Sequence, residues 1–279
     1  MSDQYLVGLD LGQRKDYSAV VAARKRMVDA AGELPPDATQ YPTIFAKPAD
    51  TTVTIAHGKQ QGERVGPPAR LRSQYATTCV QRFPLETDYP SIVERTAVLF
   101  TRDGYRGSTL VVDQTGVGAP VVDQFRRAKR EPVRCAKCRG DGVAYFAQVR
   151  QMDRPACLTC GGEGKLLLQT NVAAIHITNG TGWRYEKETD TWYVSKRELI
   201  SVLVVLMEDP VGRFIIDPRL PHANLLASEL TMFRVKKNER TGNDTLEAWR
   251  EREHDDLVLA AALMLWYGER ASRKAWFKC

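Results

Sequence analysis

The stretch 5-YLVGLDLG-12 opens the chain with an apolar segment that carries one aspartate, Asp10, close to a glycine. Residues 5–12 are predicted to form a buried strand. The segment 17-YSAVVAARK-25 follows a short turn, and two strands so close in sequence are expected to pair as a hairpin. A carboxylate at the end of a buried strand has two explanations: it belongs to a turn, or it meets other carboxylates at a site.

The composition indicates a globular protein with a sizeable core. The chain has 279 residues, of which 43% are hydrophobic and 27% are charged. No apolar run reaches the roughly 18 residues that span a bilayer, and the N-terminus has no signal-peptide pattern. We therefore expect a cytoplasmic protein without a membrane partner. The net charge of +6 is compatible with a polyanionic partner.

The remaining pattern predicts an α/β layer fold. Further strands are expected at 74–83, 109–113 and 172–178, and 51–57 is interpreted as a short hairpin within a long excursion over 28–72. Helices are expected at 91–102, from about 118, at 195–209 and at 255–270. Ser91 is the predicted N-cap of the first helix, and Ser195 with Glu198 forms a capping box. The order opens on antiparallel strands and moves to parallel strand–helix crossovers, which predicts a mixed sheet.

Four acidic residues occupy comparable positions in this arrangement. Asp10 lies near the end of strand one, Asp113 ends the strand 109-TLVVD-113, and Asp255 with Asp256 opens an otherwise apolar helix. Each acid alone is also explained by a turn or a helix cap. Strands one and four are expected to be parallel neighbours, which would bring Asp10 and Asp113 side by side.

Clustered carboxylates repel one another, and a bound cation relieves the repulsion. Mg²⁺ binds through carboxylates, water and substrate phosphate. Two such ions could activate water and stabilise the leaving oxygen in phosphodiester cleavage. Helical phase does not choose between Asp255 and Asp256. We favour Asp256 as the ligand, with Asp255 as a fourth ligand or a cap.

The acidic motifs resemble those of a known family. The segments 7-VGLDLG-12, 111-VVDQTGVGAPVVD-123 and 254-HDDLVLAAALMLW-266 are similar to the three acidic motifs in the nuclease domain of phage large terminase subunits. That domain belongs to the RNase H-like superfamily, together with RuvC-type resolvases. The resemblance implies an RNase H-like mixed five-stranded sheet flanked by helices. It also implies Mg²⁺- or Mn²⁺-dependent DNA cleavage, with Asp10, Asp113 and one acid of the 255–256 pair as ligands of two ions.

The chain departs from the family in one respect. Large terminases carry an ATPase motor, and this sequence contains no G-x-x-x-x-G-K-[ST] motif. We therefore expect a nuclease that acts on DNA alone or with a separate packaging ATPase or portal-type partner. Three alternatives stay open: a RuvC-like resolvase of branched DNA, an ATP-binding fold of the actin and Hsp70 class, and a non-catalytic zinc-containing DNA-binding adaptor.

Two matched cysteine motifs predict a metal site. The segments 135-CAKCRGDG-142 and 157-CLTCGGEG-164 both read C-x-x-C-x-G-x-G, and paired C-x₂-C units are a strong zinc signal. Each unit is similar to the zinc-binding repeat of DnaJ-type chaperones. We predict one structural Zn²⁺ held by Cys135, Cys138, Cys157 and Cys160. The predicted organisation is a nuclease core over 1–133 and 167–279, interrupted by a zinc-binding insertion at 134–166, away from the acids.

A basic cluster precedes the last helix. Its members are Arg234, Lys236, Lys237 and Arg240. The cluster resembles the basic loop or hairpin that flanks DNA in terminase nucleases. Contacts to phosphate from such residues would supply affinity without sequence information. We therefore predict that these residues contact DNA.

Overall fold

The computed structural model describes residues 3–12, 16–29, 32–33, 71–144, 154–239 and 255–271, with the backbone alone for 233–239. The predicted hairpin at 51–57 lies outside these residues. Within the described ranges, no helix has the length and apolar character needed to cross a bilayer.

A mixed sheet of eight strands forms the centre of the molecule. Its order is β10-β3-β2-β1-β4-β7-β9-β8. The strands are β1 (Gln4–Asp10), β2 (Ala19–Val28), β3 (Arg72–Arg82), β4 (Thr109–Asp113), β7 (Asn171–Thr178), β8 (Trp183–Glu186), β9 (Thr191–Ser195) and β10 (Phe214–Ile215). A separate two-stranded ladder pairs β5 (Val133–Arg134) with β6 (Lys165–Leu166).

The strand directions confirm the predicted RNase H-like fold. β1 pairs antiparallel with β2 and β2 pairs antiparallel with β3, whereas β1, β4 and β7 run parallel. The five predicted strands occupy the middle of the sheet, and three strands extend it beyond the prediction. β9 and β8 form a hairpin at one edge, and β10 pairs in parallel with β3 at the other.

Helices cover both faces of the sheet. One apolar core lies between the sheet and α3 (Lys196–Glu208), α4 (Ala223–Glu239) and α5 (Asp256–Trp266). The other lies between the sheet and α1 (Tyr89–Leu99) and α2 (Gly118–Ala128). A short π-helical segment, Tyr267–Ala271, continues α5. Each sheet face is therefore buried, as parallel strands require.

α5 packs against β1 closely enough to require a glycine. A β-carbon added to Gly8 would lie 1.9 Å from the carbonyl oxygen of Ala260 and 3.1 Å from Cβ of Met264. Nearly every residue of α5 is buried, in agreement with a helix that is apolar all round. The first turn of α5 is thereby fixed relative to the end of β1.

The Ser195 half of the predicted capping box is confirmed, although the backbone N–H of Ser195 donates to the carbonyl of Gly182, and the other predicted cap is wrong. The hydroxyl of Ser195 accepts a hydrogen bond from the backbone N–H of Glu198, 3.2 Å away, at the start of α3. α1 begins at Tyr89 rather than at Ser91, and Asp88 is its N-cap. The Asp88 carboxylate accepts from the backbone N–H of Ser91 at 2.7 Å and from its hydroxyl at 3.0 Å. Ser91 is therefore a donor to the capping residue.

Candidate functional site

Asp10 and Asp113 lie at the same edge of the sheet and on the same face. β1 and β4 run parallel, with Leu9 opposite Val112, so the next residue on each strand is an aspartate. Side chains alternate along a strand. Leu6 and Val111 both belong to the core beneath α5, and Asp10 and Asp113 are in phase with them. Both carboxylates consequently point to the α5 side.

The start of α5 brings two further acids to this edge. Asp255 is the N-cap residue of α5, but its side chain makes no capping hydrogen bond. Instead, its Oδ2 lies 3.5 Å from Nζ of Lys196. Asp256 is the first residue of the helix, and only 4% of it is exposed. Capping alone therefore does not explain why two aspartates stand here.

The four carboxylates are close enough to influence one another. Burial is the main cause that raises the pKa of Asp10 well above its ordinary value. The other causes in the same direction are the carboxylates of Asp113, Asp256 and Asp255. Burial likewise raises the pKa of Asp113, although Thr115 donates hydrogen bonds to it. The site therefore gathers acidic groups whose charged forms disfavour one another.

The donor set suits a hard divalent cation. All four acids supply oxygen ligands, which Mg²⁺ prefers, and a cation would offset the repulsion that raises the pKa of Asp10. Within the described ranges, however, only the four cysteines bring ligand atoms of three or more residues within 4.8 Å of one another. The carboxylates thus have the ligand chemistry that a divalent cation needs, and they lie at the same edge of the sheet. In this conformation they do not form a closed shell around one ion.

Lys196 is a site residue that the sequence analysis missed. Besides its pairing with Asp255, its charge lowers the pKa of Asp10, Asp113 and Asp255. Lys196 directly follows Ser195, the last residue of β9, which runs parallel to β7. A basic residue at the carboxyl end of a parallel strand was the available signal, but β9 had not been predicted.

A second missed feature is a buried arginine with two acidic neighbours. Nη2 of Arg82, at the end of β3, contacts Oε1 of Glu229 on α4 and lies 3.4 Å from Oδ2 of Asp256. Burial raises the pKa of Glu229 to about 7, and the charge of Arg82 acts in the opposite direction. Glu229 adjoins the buried Leu230 on α4, but no helix was predicted there, so the sequence offered no usable signal for this buried carboxylate.

All four predicted DNA-contacting residues fall outside the described side chains. Arg234, Lys236 and Lys237 lie in α4, where the structure gives the backbone alone, and Arg240 lies beyond the described residues. The prediction of a loop or hairpin is wrong for 234–239, because this segment continues the helix.

The four predicted cysteines form one buried cluster. Their sulfurs all lie within 4.8 Å of one another, and Sγ of Cys138 is 3.7 Å from Sγ of Cys160. A tetrahedral Zn²⁺ with Zn–S bonds near 2.3 Å would separate its sulfurs by about 3.8 Å. The cluster therefore has the ligands and the spacing that a structural zinc ion needs.

The two C-x-x-C-x-G-x-G segments pack against each other in a reciprocal way. The backbone N–H of Cys135 donates to the carbonyl of Gly164, and that of Cys157 donates to the carbonyl of Gly142, both at 2.8 Å. Gly142 and Gly164 have φ values of +75° and +72°. A β-carbon on either would lie 2.2 Å from a carbonyl of the opposite segment. The glycines thus allow the close contact that brings the cysteine pairs together.

The cysteine cluster and the acidic edge lie at opposite ends of α1. The hydroxyl of Tyr89, at the start of the helix, donates to the carbonyl of Gly12, just beyond Asp10. Val98, near the helix end, packs with the cysteines. Nine residues of helix correspond to about 14 Å. The cluster is accordingly separated from the carboxylates by most of a helix.

Comparison with known proteins gives similarities of fold alone. No family profile matches the sequence, and no curated protein matches it. Among solved structures, the large terminase nuclease from thermophilic phage G20c shares 16% identity, with coverage of 96% of this chain and 82% of that chain and a TM-score of 0.39. The human cytomegalovirus terminase nuclease domain shares 10% identity, with coverage of 98% and 86% and a TM-score of 0.42.

Proposed function

We propose that this chain is a metal-dependent DNA endonuclease of the terminase nuclease type. The observation that supports the proposal is the convergence of Asp10, Asp113, Asp255 and Asp256 at one edge of an RNase H-like sheet. Asp10 and Asp256 are buried and the other two are partly buried, and gathering acids in this way is costly for the fold. A role in holding cations accounts for that cost, whereas a role in turns and caps does not.

The proposed ligands of the cations are Asp10, Asp113 and Asp256. Bound Mg²⁺ or Mn²⁺ would supply a nucleophile from water and charge stabilisation for the leaving oxygen of a phosphodiester. The chain holds the three carboxylates on two fixed strands and one fixed helix. Asp255 pairs with Lys196 at the rim. We therefore propose that Asp255 mainly orients Lys196 and that a role as fourth metal ligand is secondary. Lys196 offers a positive charge where an anionic substrate would approach.

The cysteine cluster is proposed to bind one structural Zn²⁺. Its separation from the acids by the length of α1 argues for stability or docking rather than for catalysis. The basic residues Arg234, Lys236, Lys237 and Arg240 are proposed to contact DNA phosphates. In this role the chain would work with a separate packaging ATPase or portal-type partner during phage DNA processing.

The test is cleavage of plasmid DNA by the purified chain. We expect nicking or linearisation with Mn²⁺ or Mg²⁺ and none with EDTA. Asp10→Asn and Asp113→Asn should each lower the rate at least about 100-fold, because a lost ligand removes several kcal/mol of charge stabilisation. Melting without divalent cations provides the control, since Asp10→Asn relieves repulsion and should raise Tm slightly.

The same preparation separates the alternatives. Cleavage restricted to four-way junctions would favour a resolvase, and ATP hydrolysis without DNA cleavage would favour the actin and Hsp70 class. DNA binding without either reaction would favour an adaptor. If both aspartate variants cut DNA at the wild-type rate, the acidic edge is not the active site.

A further inference from the structure

Three charged side chains form a buried group beside the acidic edge. Arg82 comes from β3, Glu229 from α4 and Asp256 from α5. The exposed fractions of their side chains are 12%, 5% and 6%, in that order. The Arg82 guanidinium also lies over the ring of Tyr17, 4.8 Å from its centroid. Charges this deeply buried interact strongly, because little water screens them.

The arginine is not shared equally between its two acids. The same nitrogen, Nη2, makes a close contact with Oε1 of Glu229 but stands 3.4 Å from Oδ2 of Asp256. Charge-assisted hydrogen bonds between arginine and carboxylate are normally about 2.7–2.9 Å long. Arg82 is thus bound to Glu229 and held short of a full hydrogen bond with Asp256.

This arrangement matters because Asp256 is a proposed metal ligand. An arginine that paired fully with Asp256 would compete with a divalent cation for the same carboxylate. Glu229 is placed to prevent this competition, because it pairs with the Arg82 guanidinium from α4, whereas Asp256 lies on α5. The backbone N–H of Val258, in the first turn of α5, also acts on the Glu229 carboxylate. Glu229 is therefore located by the same helix that carries Asp256.

We propose that Glu229 is a positioning residue of the acidic site and that it acts through Arg82. Glu229 retains the guanidinium of Arg82, so that this guanidinium does not compete with a divalent cation for Oδ2 of Asp256. The inference rests on the proposed role of Asp256 as a ligand. It adds a condition to that role: while Arg82 is present, Glu229 must hold its guanidinium away from the Asp256 carboxylate.

The test measures the binding of Mn²⁺ to the full chain without DNA. The two readouts are isothermal titration calorimetry and electron paramagnetic resonance of free Mn²⁺. Four proteins form a double-mutant cycle: wild type, Glu229→Gln, Arg82→Gln and the double variant. Asp10→Asn defines the part of the signal that belongs to the acidic site. A matched control removes another β3 arginine pair, Arg72 with Asp209, whose atoms are 3.4 Å apart at the far end of the strand.

We expect Glu229→Gln to raise the dissociation constant for Mn²⁺ at least about tenfold, as loss of an outer-shell partner commonly does. In that background, removing Arg82 should restore the constant to within about twofold of wild type. Arg82→Gln alone should change it by less than about twofold. The Arg72→Gln/Asp209→Asn control should leave it unchanged. If Arg82→Gln alone does not fold, comparing Glu229→Gln with the double variant still decides whether Glu229 acts through Arg82.

Two results would overturn the inference. If the double variant binds Mn²⁺ as weakly as Glu229→Gln, Glu229 acts directly on the cation rather than through Arg82. If the two single effects are equal, opposite and additive, the residues act by long-range charge alone. Failure of the underlying site assignment looks different: wild type and Asp10→Asn would then bind Mn²⁺ equally.

Discussion

Replacing Gly8 by alanine tests whether the packing of α5 on β1 sets the geometry of the acidic site. The added methyl carbon would lie 1.9 Å from the carbonyl oxygen of Ala260, whereas real contacts of this kind keep at least 3.0 Å. β1 is hydrogen-bonded on both sides, to β2 and to β4. The helix must therefore retreat from the strand by about 1.1 Å.

Such a shift should affect stability and activity together. Overpacking of this size typically costs 1–3 kcal/mol. Asp256 stands one turn before Ala260 on the same helix, and Asp10 stands two residues after Gly8 on the same strand. A change of about 1 Å in the spacing of the two acids should slow DNA cleavage by about 100-fold.

The assays are thermal unfolding by circular dichroism and single-turnover plasmid cleavage at saturating Mn²⁺. Gly180→Ala is the matched control, because a β-carbon there meets only Thr178 Oγ1, at 3.9 Å. A lower Tm with an unchanged cleavage rate would show that α5 does not position the acids. An unchanged Tm and rate would show that the contact with Ala260 is absent.

Two further predictions concern the helix start and the cysteines. Asp256→Asn should reduce the single-turnover cleavage rate more than Asp255→Asn, because Asp255 pairs with Lys196 at the rim. Equal and slight losses in the two variants would indicate that both acids only cap the helix. Elemental analysis should find about one Zn²⁺ per chain, and Cys135→Ser/Cys138→Ser should release it and unfold the insertion, since metal binding in small modules supplies the folding energy. The Cys135→Ser/Cys138→Ser variant should still cut short DNA. Loss of cleavage in a variant whose sheet stays folded would contradict a purely structural role of the cluster, and purified wild-type protein without zinc would contradict the metal site itself.

The sequence predicted the features that depend on local pattern. The short turn between β1 and β2 predicted their antiparallel pairing, and the doubled motif predicted the cluster of four cysteines. The Ser195 cap followed from a short motif whose hydrogen bond spans three residues. These features need little knowledge of distant contacts, so the residues themselves carry the information.

Other features depend on contacts between distant segments. Arg82 and Glu229 are 147 positions apart, and neither lies in a motif. The hairpin of β8 and β9 was overlooked because its strands are short, of four and five residues. That omission also concealed Lys196, which reaches the acids only because β9 ends at their edge. At α1, two neighbouring polar residues could each cap the helix, and Asp88 rather than Ser91 does so.

The ladder of β5 and β6 has a consequence for how the cysteine segment is joined to the rest of the chain. Val133 pairs with Leu166 and Arg134 with Lys165, so the polypeptide leaves the core and returns to it at neighbouring points. The entropic cost of closing such a segment grows only slowly with its length, by about 0.6 kcal/mol for each doubling. We therefore expect the host fold to tolerate changes of length in this segment while the sheet keeps its connectivity.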